Sequence, residues 1–329
     1  MDRQLLSIED LRVSFFTPAG EVKAVGGISF TLDHGKVLGI VGESGSGKSV
    51  SVNALMRLIP HPGRVIGGSI TFDGKAVLGM PLREMQRLRG REIGMIFQDP
   101  MTSLNPLFTN GNQLSETLRQ HTDMTQEQVW ARGIEMLKLV GINNPEQRMR
   151  QYPHEFSGGM RQRAMIAMTL SCEPKLLIAD EPTTALDVTI QAQILTLIKE
   201  LKTKIQSAII LITHDLGIIS DLCDEVIVMY GGKIVEHGSI DDIFYRPAHP
   251  YTSGLLRCLP RLDSDDKEPL IPIEGTPVDQ LMLPAGCAFA PRCERCMKVC
   301  MSHVPPEFVM GEGHTSACWL HALDQGVSA

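Results

Sequence analysis

Long apolar segments are missing from this chain of 329 residues. No apolar run approaches the ~20 residues that a membrane-spanning helix needs, which argues against an integral membrane protein. Basic residues are not in excess, because the formal net charge is −7, and a general binder of nucleic acid or anionic lipid would carry a positive balance. The N-terminus, Met1-Asp2-Arg3-Gln4, does not resemble a secretory signal and continues into a strand-like pattern. We therefore expect a cytosolic chain that reaches a membrane only through a partner.

Cysteine is scarce over most of the chain and then clustered. Five of the eight cysteines lie between Cys287 and Cys318. A cytosolic chain is a poor environment for disulfides, so this cluster predicts a metal or cofactor site. Proline also becomes frequent in the last third of the sequence, which predicts a domain boundary. We place the two domains at residues 1–245 and 246–329.

The strongest local motif runs from Gly42 to Ser49 and reads Gly-Glu-Ser-Gly-Ser-Gly-Lys-Ser. A short apolar run precedes it and a helical pattern follows, which predicts a strand, a glycine loop and a helix in that order. Glycines let backbone N–H groups surround phosphate oxygens, and the helix N-terminus adds a partial positive charge. We predict that Lys48 reaches the outer phosphates and that Ser49 binds Mg²⁺. The residues expected to contact the nucleotide are Gly42, Glu43, Ser44, Gly45, Ser46, Gly47, Lys48 and Ser49.

A second feature is an apolar run at residues 176–179 that ends in Asp180 and Glu181. A central strand of this kind delivers both acids to the carboxyl edge of a parallel sheet, where ligands bind. We predict that Asp180 holds Mg²⁺ beside Ser49. Glu181 is then placed to polarise the attacking water as a general base.

The order of patterns along the chain predicts the fold class. Alternating strands and helices indicate an α/β fold with a parallel sheet and helices on both faces. Alternating apolar residues from Leu5 to about Leu32 predict antiparallel strands, and residues 60–68 are interpreted as a loop. Residues 112–149 have a helical pattern without an obvious strand, which predicts an α-helical insertion at about 100–150. Ser157 is predicted to cap a further helix.

Residues 156–163, Phe-Ser-Gly-Gly-Met-Arg-Gln-Arg, resemble the signature of the ATP-binding-cassette family. The phosphate loop, Gln98, this signature, the two acids, Asp187 and His214 follow one another in the family's order. The resemblance covers residues 5 to about 240. It implies a P-loop NTPase fold with an antiparallel β-subdomain and an α-helical subdomain, ATP hydrolysis, and a head-to-tail dimer.

The resemblance also implies roles for individual residues. Ser157, Gly158 and Gly159 would close over the γ-phosphate of an ATP molecule held by the opposite subunit. Gln98 would sense the attacking water and Mg²⁺, and His214 would contact the γ-phosphate. The expected catalytic residues are therefore Glu181, His214, Gln98 and Lys48, with Asp187 linking the two sites.

An aromatic side chain near the N-terminus is implied as the platform for adenine. Phe15 stands where the family places an aromatic residue that stacks on the base. Its neighbour Phe16 is the alternative, since the two differ by one position in a predicted strand.

Three further stretches, residues 98–107, 152–156 and 246–252, are similar to the oligopeptide and dipeptide importer branch of the family. The resemblance implies an ATP-hydrolysing subunit that drives peptide uptake from the cytoplasmic face of the inner membrane, where it binds peripherally. The alternatives are an importer of nickel, glutathione or another small solute, and an ATPase outside transport. Implied partners are a second ATPase subunit, two transmembrane permeases and an extracytoplasmic substrate-binding protein, with no nucleic acid. For the second ATPase subunit a paralogue is favoured, and a copy of this chain is the alternative.

The cysteine pattern belongs to the same resemblance. Cys287, Cys293, Cys300 and Cys318 match the C-terminal pattern of this branch, which implies a 4Fe–4S cluster with four thiolate ligands. Cys296 is an addition that creates Cys293-x₂-Cys296, a spacing also found in zinc sites. Zinc is therefore the alternative metal, and residues 246–329 are expected to form a small cysteine-rich module.

Overall fold

The structure is a computed structural model that describes residues 4–99, 103–183, 188–204, 207–259 and 272–322. Within these ranges the chain divides into two compact units. The first unit contains Asp33–Lys36 and Gly79–Ile212, and the second contains the residues up to Leu32, Val37–Leu78 and the residues from Thr213 onward.

The strands of the described residues are β1 (Gln4–Thr17), β2 (Gly20–Asp33), β3 (Val37–Val41), β4 (Gly63–Phe72), β5 (Lys75–Ala76), β6 (Ile93–Ile96), β7 (Leu176–Asp180), β8 (Ala208–Ile212), β9 (Glu225–Tyr230), β10 (Lys233–Ser239), β11 (Phe308–Gly311) and β12 (His314–Ser316). Their α-helices are α1 (Lys48–Leu55), α2 (Leu82–Arg91), α3 (Asn110–His121), α4 (Gln126–Leu139), α5 (Pro145–Arg148), α6 (Gly158–Leu170), α7 (Val188–Lys204), α8 (Leu216–Leu222), α9 (Ile240–Tyr245), α10 (Pro250–Arg257) and α11 (Lys298–Ser302). Short 3₁₀ turns lie at Pro153–Glu155, Ala290–Arg292 and Trp319–His321.

Three parallel strands form the sheet of the first unit, in the order β6-β7-β8. Every residue of these strands is buried, as expected for a parallel sheet whose two faces are both covered. Asp180 pairs with Ile212 at the carboxyl ends of β7 and β8. The predicted acids therefore emerge at the sheet edge where the sequence placed them.

Helices α3, α4 and α6 of the first unit pack against one another. Thr109, Thr125 and Ser157 begin these helices, and each side chain accepts a hydrogen bond from a backbone N–H of the first turn. Gly133 on α4 leaves room for Met149, since a Cβ at Gly133 would lie 2.5 Å from Met149 Cε. The helical pattern predicted between Asn112 and Met149 agrees with these elements.

Two sheets belong to the second unit. An antiparallel sheet has the order β2-β1-β4-β5. In the other sheet β3 pairs in parallel with β9, and β10, β12 and β11 continue from β9 with antiparallel pairing. The C-terminal strands β11 and β12 thus extend the sheet that contains β3. A separate cysteine-rich module is therefore not supported, and the boundaries 1–245 and 246–329 stay a prediction.

The loop predicted at residues 60–68 is partly wrong, because β4 already begins at Gly63. The first half of β4 is exposed or half-buried on both faces, so it lacks the apolar alternation that reveals a strand in sequence. Pairing with β1 supplies its backbone partners, and Phe15 lies opposite Gly63. Glycine is required there, because a Cβ would lie 2.6 Å from the Phe15 ring.

Candidate functional site

The phosphate loop, Gly42–Ser49, lies in the second unit between the buried strand β3 and helix α1. Gly42, Gly45 and Gly47 all have positive φ, at 151°, 78° and 100°. A side chain at Gly42 would collide with the Met229 carbonyl, and a Cβ at Gly47 would lie 2.5 Å from the Ala24 carbonyl. The loop conformation therefore requires glycine at these positions.

Lys48 is folded back over this loop. Its ammonium Nζ donates to the Gly42 carbonyl at 2.7 Å and to the Glu43 carbonyl at 3.0 Å, and the residue is 5% exposed. Ser46 Oγ is buried and has no hydrogen-bond partner among the described residues. A buried ammonium and an orphaned hydroxyl within a glycine loop that opens a helix fit a bound phosphate group.

The acid turn, Asp180–Pro182, lies in the first unit at the end of β7. Glu181 has a left-handed backbone with φ 47°, and its N–H donates to the Ile212 carbonyl at 2.9 Å. A non-glycine residue in this region is uncommon and such strain gathers at functional sites. Gln98 Nε2 donates to Glu181 Oε2 at 3.1 Å. The structure thus brings together two of the predicted catalytic residues.

A residue that the sequence did not single out also supports the acid turn. Gln162 on α6 is completely buried, and its Nε2 donates to the Pro182 carbonyl at 2.7 Å. It belongs to the same helix that Ser157 caps. One signal in the sequence could have found it: the other side chains on the buried side of α6 are apolar, and Gln162 is a glutamine among them.

The signature residues occupy the N-terminus of α6 in the first unit. Ser157 Oγ accepts from the Met160 N–H at 3.3 Å, and Ser157 and Gly158 are exposed. Gly159 is buried, and a Cβ there would lie 2.8 Å from Ile190. An exposed serine and glycine at a helix N-terminus leave this end open to an anion from outside.

His214 lies in the second unit, immediately after β8, and is exposed. The turn that carries it is fixed on both sides, because the Asp215 N–H donates to Thr213 Oγ1 at 3.0 Å and Asp215 Oδ1 accepts from the Gly217 N–H at 2.8 Å. Asp187, predicted to link two sites, lies outside the described residues.

The two candidate aromatics differ in their surroundings. Phe15 is half-buried and lies opposite Gly63 of β4. Phe16 is 42% exposed, with the Arg64 guanidinium 5.0 Å from the centre of its ring. The assignment of adenine stacking to Phe15 stays a prediction.

The cysteines of the C-terminal region lie near one another but do not converge on a single ion. Burial, followed by the neighbouring thiols, raises the pKa of Cys318 to about 12, and burial raises the pKa of Cys287 and Cys293. Cys300 is buried and Cys296 is exposed. Within the described residues, no group of three or more His, Cys, Asp or Glu side chains has a geometry that holds a metal ion.

None of the helices within the described residues is long and apolar enough to span a membrane.

The sequence of this chain was compared with family models and with characterised proteins. Residues 25–184 match the ABC transporter family, and residues 235–300 match the oligopeptide/dipeptide transporter C-terminal region. The chain is 54% identical over 315 residues to the oligopeptide transport ATP-binding protein OppD of Salmonella typhimurium, covering 96% of this chain and 93% of that protein. It is 52% identical over 318 residues to the dipeptide transport ATP-binding protein DppD of Bacillus subtilis, covering 96% and 95%.

Solved structures agree with this fold. The protein cbiO1 from Clostridium perfringens, part of the ABC transporter complex cbiONQ, aligns with a TM-score of 0.63 at 28% identity over 74% of this chain and 92% of that chain. The dimeric ATP-binding cassette MJ0796 bound to ADP and Pi aligns with a TM-score of 0.64 at 24% identity over 72% and 99%, which shows a shared fold. This chain has the P-loop NTPase fold of ABC ATPases, and it belongs to the ABC transporter family, among the oligopeptide and dipeptide transport ATP-binding proteins.

Proposed function

We propose that this chain is the ATP-hydrolysing subunit of an ABC importer that takes up di- and oligopeptides across the cytoplasmic membrane. The observation that carries the proposal is similarity over 96% of the chain to proteins named for oligopeptide transport, together with a match to the oligopeptide/dipeptide C-terminal region. The glycine loop, the two acids after β7 and the Gln98–Glu181 hydrogen bond supply the chemistry of ATP hydrolysis.

The residues act in the proposed reaction in two groups. The phosphate loop binds the phosphates of ATP, and Lys48 exchanges its loop carbonyls for phosphate oxygens. Glu181 accepts a proton from the attacking water while Gln98 holds its carboxylate in place. Ser49, Gln98 and Asp180 would hold Mg²⁺, which neutralises charge that develops on the phosphates.

We propose that the complete site needs a second subunit. Ser157 and Gly158 are exposed at the start of α6, which supports their use on the nucleotide of another ATPase subunit. We favour a paralogue for this subunit, with a copy of this chain as the alternative. In this arrangement ATP binding closes the dimer and hydrolysis reopens it. His214 contacts the γ-phosphate, and Asp187 links the two sites.

The proposed membrane partners are two permease subunits supplied by a substrate-binding protein outside the cytoplasm. Exposed apolar residues in the first unit support a docking surface near the helices α3 and α4. Leu107 and Phe108 are 79% and 52% exposed and Tyr152 is 40% exposed. The Asn110 N–H donates to the Gln151 carbonyl at 2.9 Å, so these segments are neighbours. The chain is proposed to lie at the cytoplasmic face of the membrane through this contact.

A 4Fe–4S cluster bound by Cys287, Cys293, Cys300 and Cys318 stays a proposal, with zinc as the alternative. The mutual effects of the thiols on their pKa values support it, because they indicate neighbouring side chains. Anaerobically purified protein is expected to be brown, to absorb broadly near ~400 nm and to contain about four irons per chain. Colourless protein with stoichiometric zinc would contradict the cluster.

Transport by the reconstituted complex tests the proposed function. The chain is co-purified with its permeases and second ATPase, placed in proteoliposomes and supplied with its binding protein. We expect ATP-dependent uptake of labelled tri- and pentapeptides. Uptake of Ni²⁺ or glutathione with no peptide uptake would contradict the peptide assignment while leaving the ATPase assignment in place.

A further inference from the structure

The phosphate loop carries a carboxylate that is bound by an arginine 249 positions away in the sequence. Arg292 Nη1 donates to Glu43 Oε2 at 2.5 Å, and Arg292 Nη2 donates to Glu43 Oε1 at 3.0 Å. The Arg292 side chain is 5% exposed and the Glu43 side chain is 25% exposed. A bidentate pair with so little solvent fixes the orientation as well as the position of the carboxylate.

Arg292 is itself immobilised by backbone and phenol oxygens. Its Nε donates to the Glu274 carbonyl at 2.9 Å, and Nη2 donates to the Ile273 carbonyl at 3.2 Å. Nη1 also lies 3.4 Å from the Tyr230 hydroxyl. The hydrogen bonds with Glu43, the largest cause, raise the pKa of Arg292 above its ordinary value. The guanidinium is therefore a rigid link between the described C-terminal residues and the loop.

Two more contacts join the same C-terminal region to the loop. The Glu43 N–H donates to the Tyr251 hydroxyl at 2.8 Å, and Gln280 Nε2 donates to the Gly45 carbonyl at 2.7 Å. Tyr251 is completely buried, and its ring lies 4.7 Å from that of Tyr230. We call Tyr251, Gln280 and Arg292 the C-terminal brace.

The brace acts on the groups that shape the loop for phosphate. It fixes the Glu43 side chain and backbone N–H and the Gly45 carbonyl, while Lys48 bonds to the carbonyls of Gly42 and Glu43. A loop whose peptide groups are already oriented binds its ligand without a further ordering cost. Weakening the brace is therefore expected to lower the affinity for ATP before it slows hydrolysis, because the brace contacts Glu43 and Gly45 of the loop.

We propose that Arg292, assisted by Gln280, is a positioning residue of the ATP site, so that the C-terminal region sets the affinity of the phosphate loop for ATP. The inference rests on the proposed ATP site. It predicts a change in KM or Kd for ATP at unchanged kcat, which a purely structural ion pair would not give.

The test measures binding of Mg-ATP to the purified full chain by titration calorimetry and the KM and kcat of the assembled ATPase. Arg292→Met leaves the Glu43 charge without its partner, and we expect Kd and KM to rise by about 10-fold, within the usual range of couplings between sites. Adding Glu43→Gln removes that charge and is expected to restore most of the affinity. Gln280→Ala, which leaves the ion pair intact, is expected to raise Kd by about 3-fold.

The matched control is Arg257→Gln, whose ion pair with Glu294 is on the surface, with side chains 46% and 69% exposed. It is expected to bind ATP like the parent chain. The proposal would be overturned if folded Arg292→Met and Gln280→Ala both bound ATP with the affinity of the parent chain. It would also be overturned if the loss of affinity in the Arg292→Met, Glu43→Gln double variant equalled the product of the losses in the two single variants. If Arg292→Met does not fold, Gln280→Ala alone decides between these outcomes. A parent chain that binds no ATP would instead refute the ATP site itself.

Discussion

In the phosphate loop the left-handed backbone is carried by glycine, whereas in the acid turn it is carried by Glu181. Gly42, Gly45 and Gly47 adopt positive φ without a side chain to strain. Glu181 does so at φ 47°, in a region that costs a non-glycine residue ~1–3 kcal/mol. Neighbours hold each segment: the C-terminal brace contacts the loop, and Gln98, Gln162 and the Ile212 carbonyl contact the acid turn. The phosphate loop thus reaches its left-handed turns without side-chain strain, whereas the acid turn accepts such strain at the residue proposed as the general base.

The largest effect is expected at the acid turn itself. Glu181→Gln keeps the side-chain shape but removes the general base, so kcat for ATP hydrolysis should fall by about 1,000-fold. ATP affinity should stay within about 3-fold, since the phosphate loop is unchanged. Size-exclusion chromatography with ATP should show a trapped dimer. Glu173→Gln is the matched control, because Glu173 also has a positive φ, 52°, and its side chain is 71% exposed. Undiminished turnover in Glu181→Gln would contradict the assignment of the base.

The next effect separates two consequences of replacing a glycine: the clash of the new side chain with the loop's neighbours, and the backbone strain of a positive φ. Gly47→Ala brings a Cβ to 2.5 Å from the Ala24 carbonyl at φ 100°, so the loop has to shift and Kd for ATP should rise by about 100-fold. Gly74→Ala is the control, because Gly74 has φ 72° with nothing within 4 Å of the added Cβ. Calorimetric titration with Mg-ATP measures both variants. Equal losses in the two would mean that backbone strain, and not the loop's close contact, sets affinity.

The stability of the protein is expected to depend on pH through His249. Burial, followed by His321, lowers the pKa of His249 to about 3, and His249 Nδ1 accepts from the N–H of Tyr251, a member of the brace. The unfolded chain binds this proton below about pH 6.5 and the folded chain does not, so stability falls as pH drops from 6.5 towards 3. The loss should reach about 2 kcal/mol at pH 5. Urea unfolding at pH 5 and 7.5 measures it. His249→Gln should remove this acid dependence, whereas His237→Gln, at an exposed ion pair with Glu225, should keep it.

Sequence predicts the parts of this site whose signal is local. The phosphate loop, the apolar strand before the two acids and the Ser157 cap all depend on residues within about ten positions, and the structure contains each of them. The Arg292–Glu43 pair escapes such reasoning because its partners are 249 positions apart. Gln162 escapes it because its partner is a backbone carbonyl, which every residue has. The start of β4 escapes it as well, because β4 begins where its backbone pairs with β1 and its first residues have no apolar alternation.

The smallest effect is expected at Gln162, whose hydrogen bond to the Pro182 carbonyl holds the acid turn. Gln162→Met fills a similar volume but leaves the buried Pro182 carbonyl without its donor, at present 2.7 Å away. The turn should shift slightly, so kcat should fall by about 10-fold, and KM for ATP should stay unchanged because the phosphate loop does not use this bond. Gln193→Met is the control, because Gln193 is exposed and accepts a hydrogen bond from the Arg163 guanidinium, away from the Pro182 carbonyl. A rise in KM with constant kcat would mean that Gln162 serves binding, and the division between a binding loop and a catalytic turn would then fail.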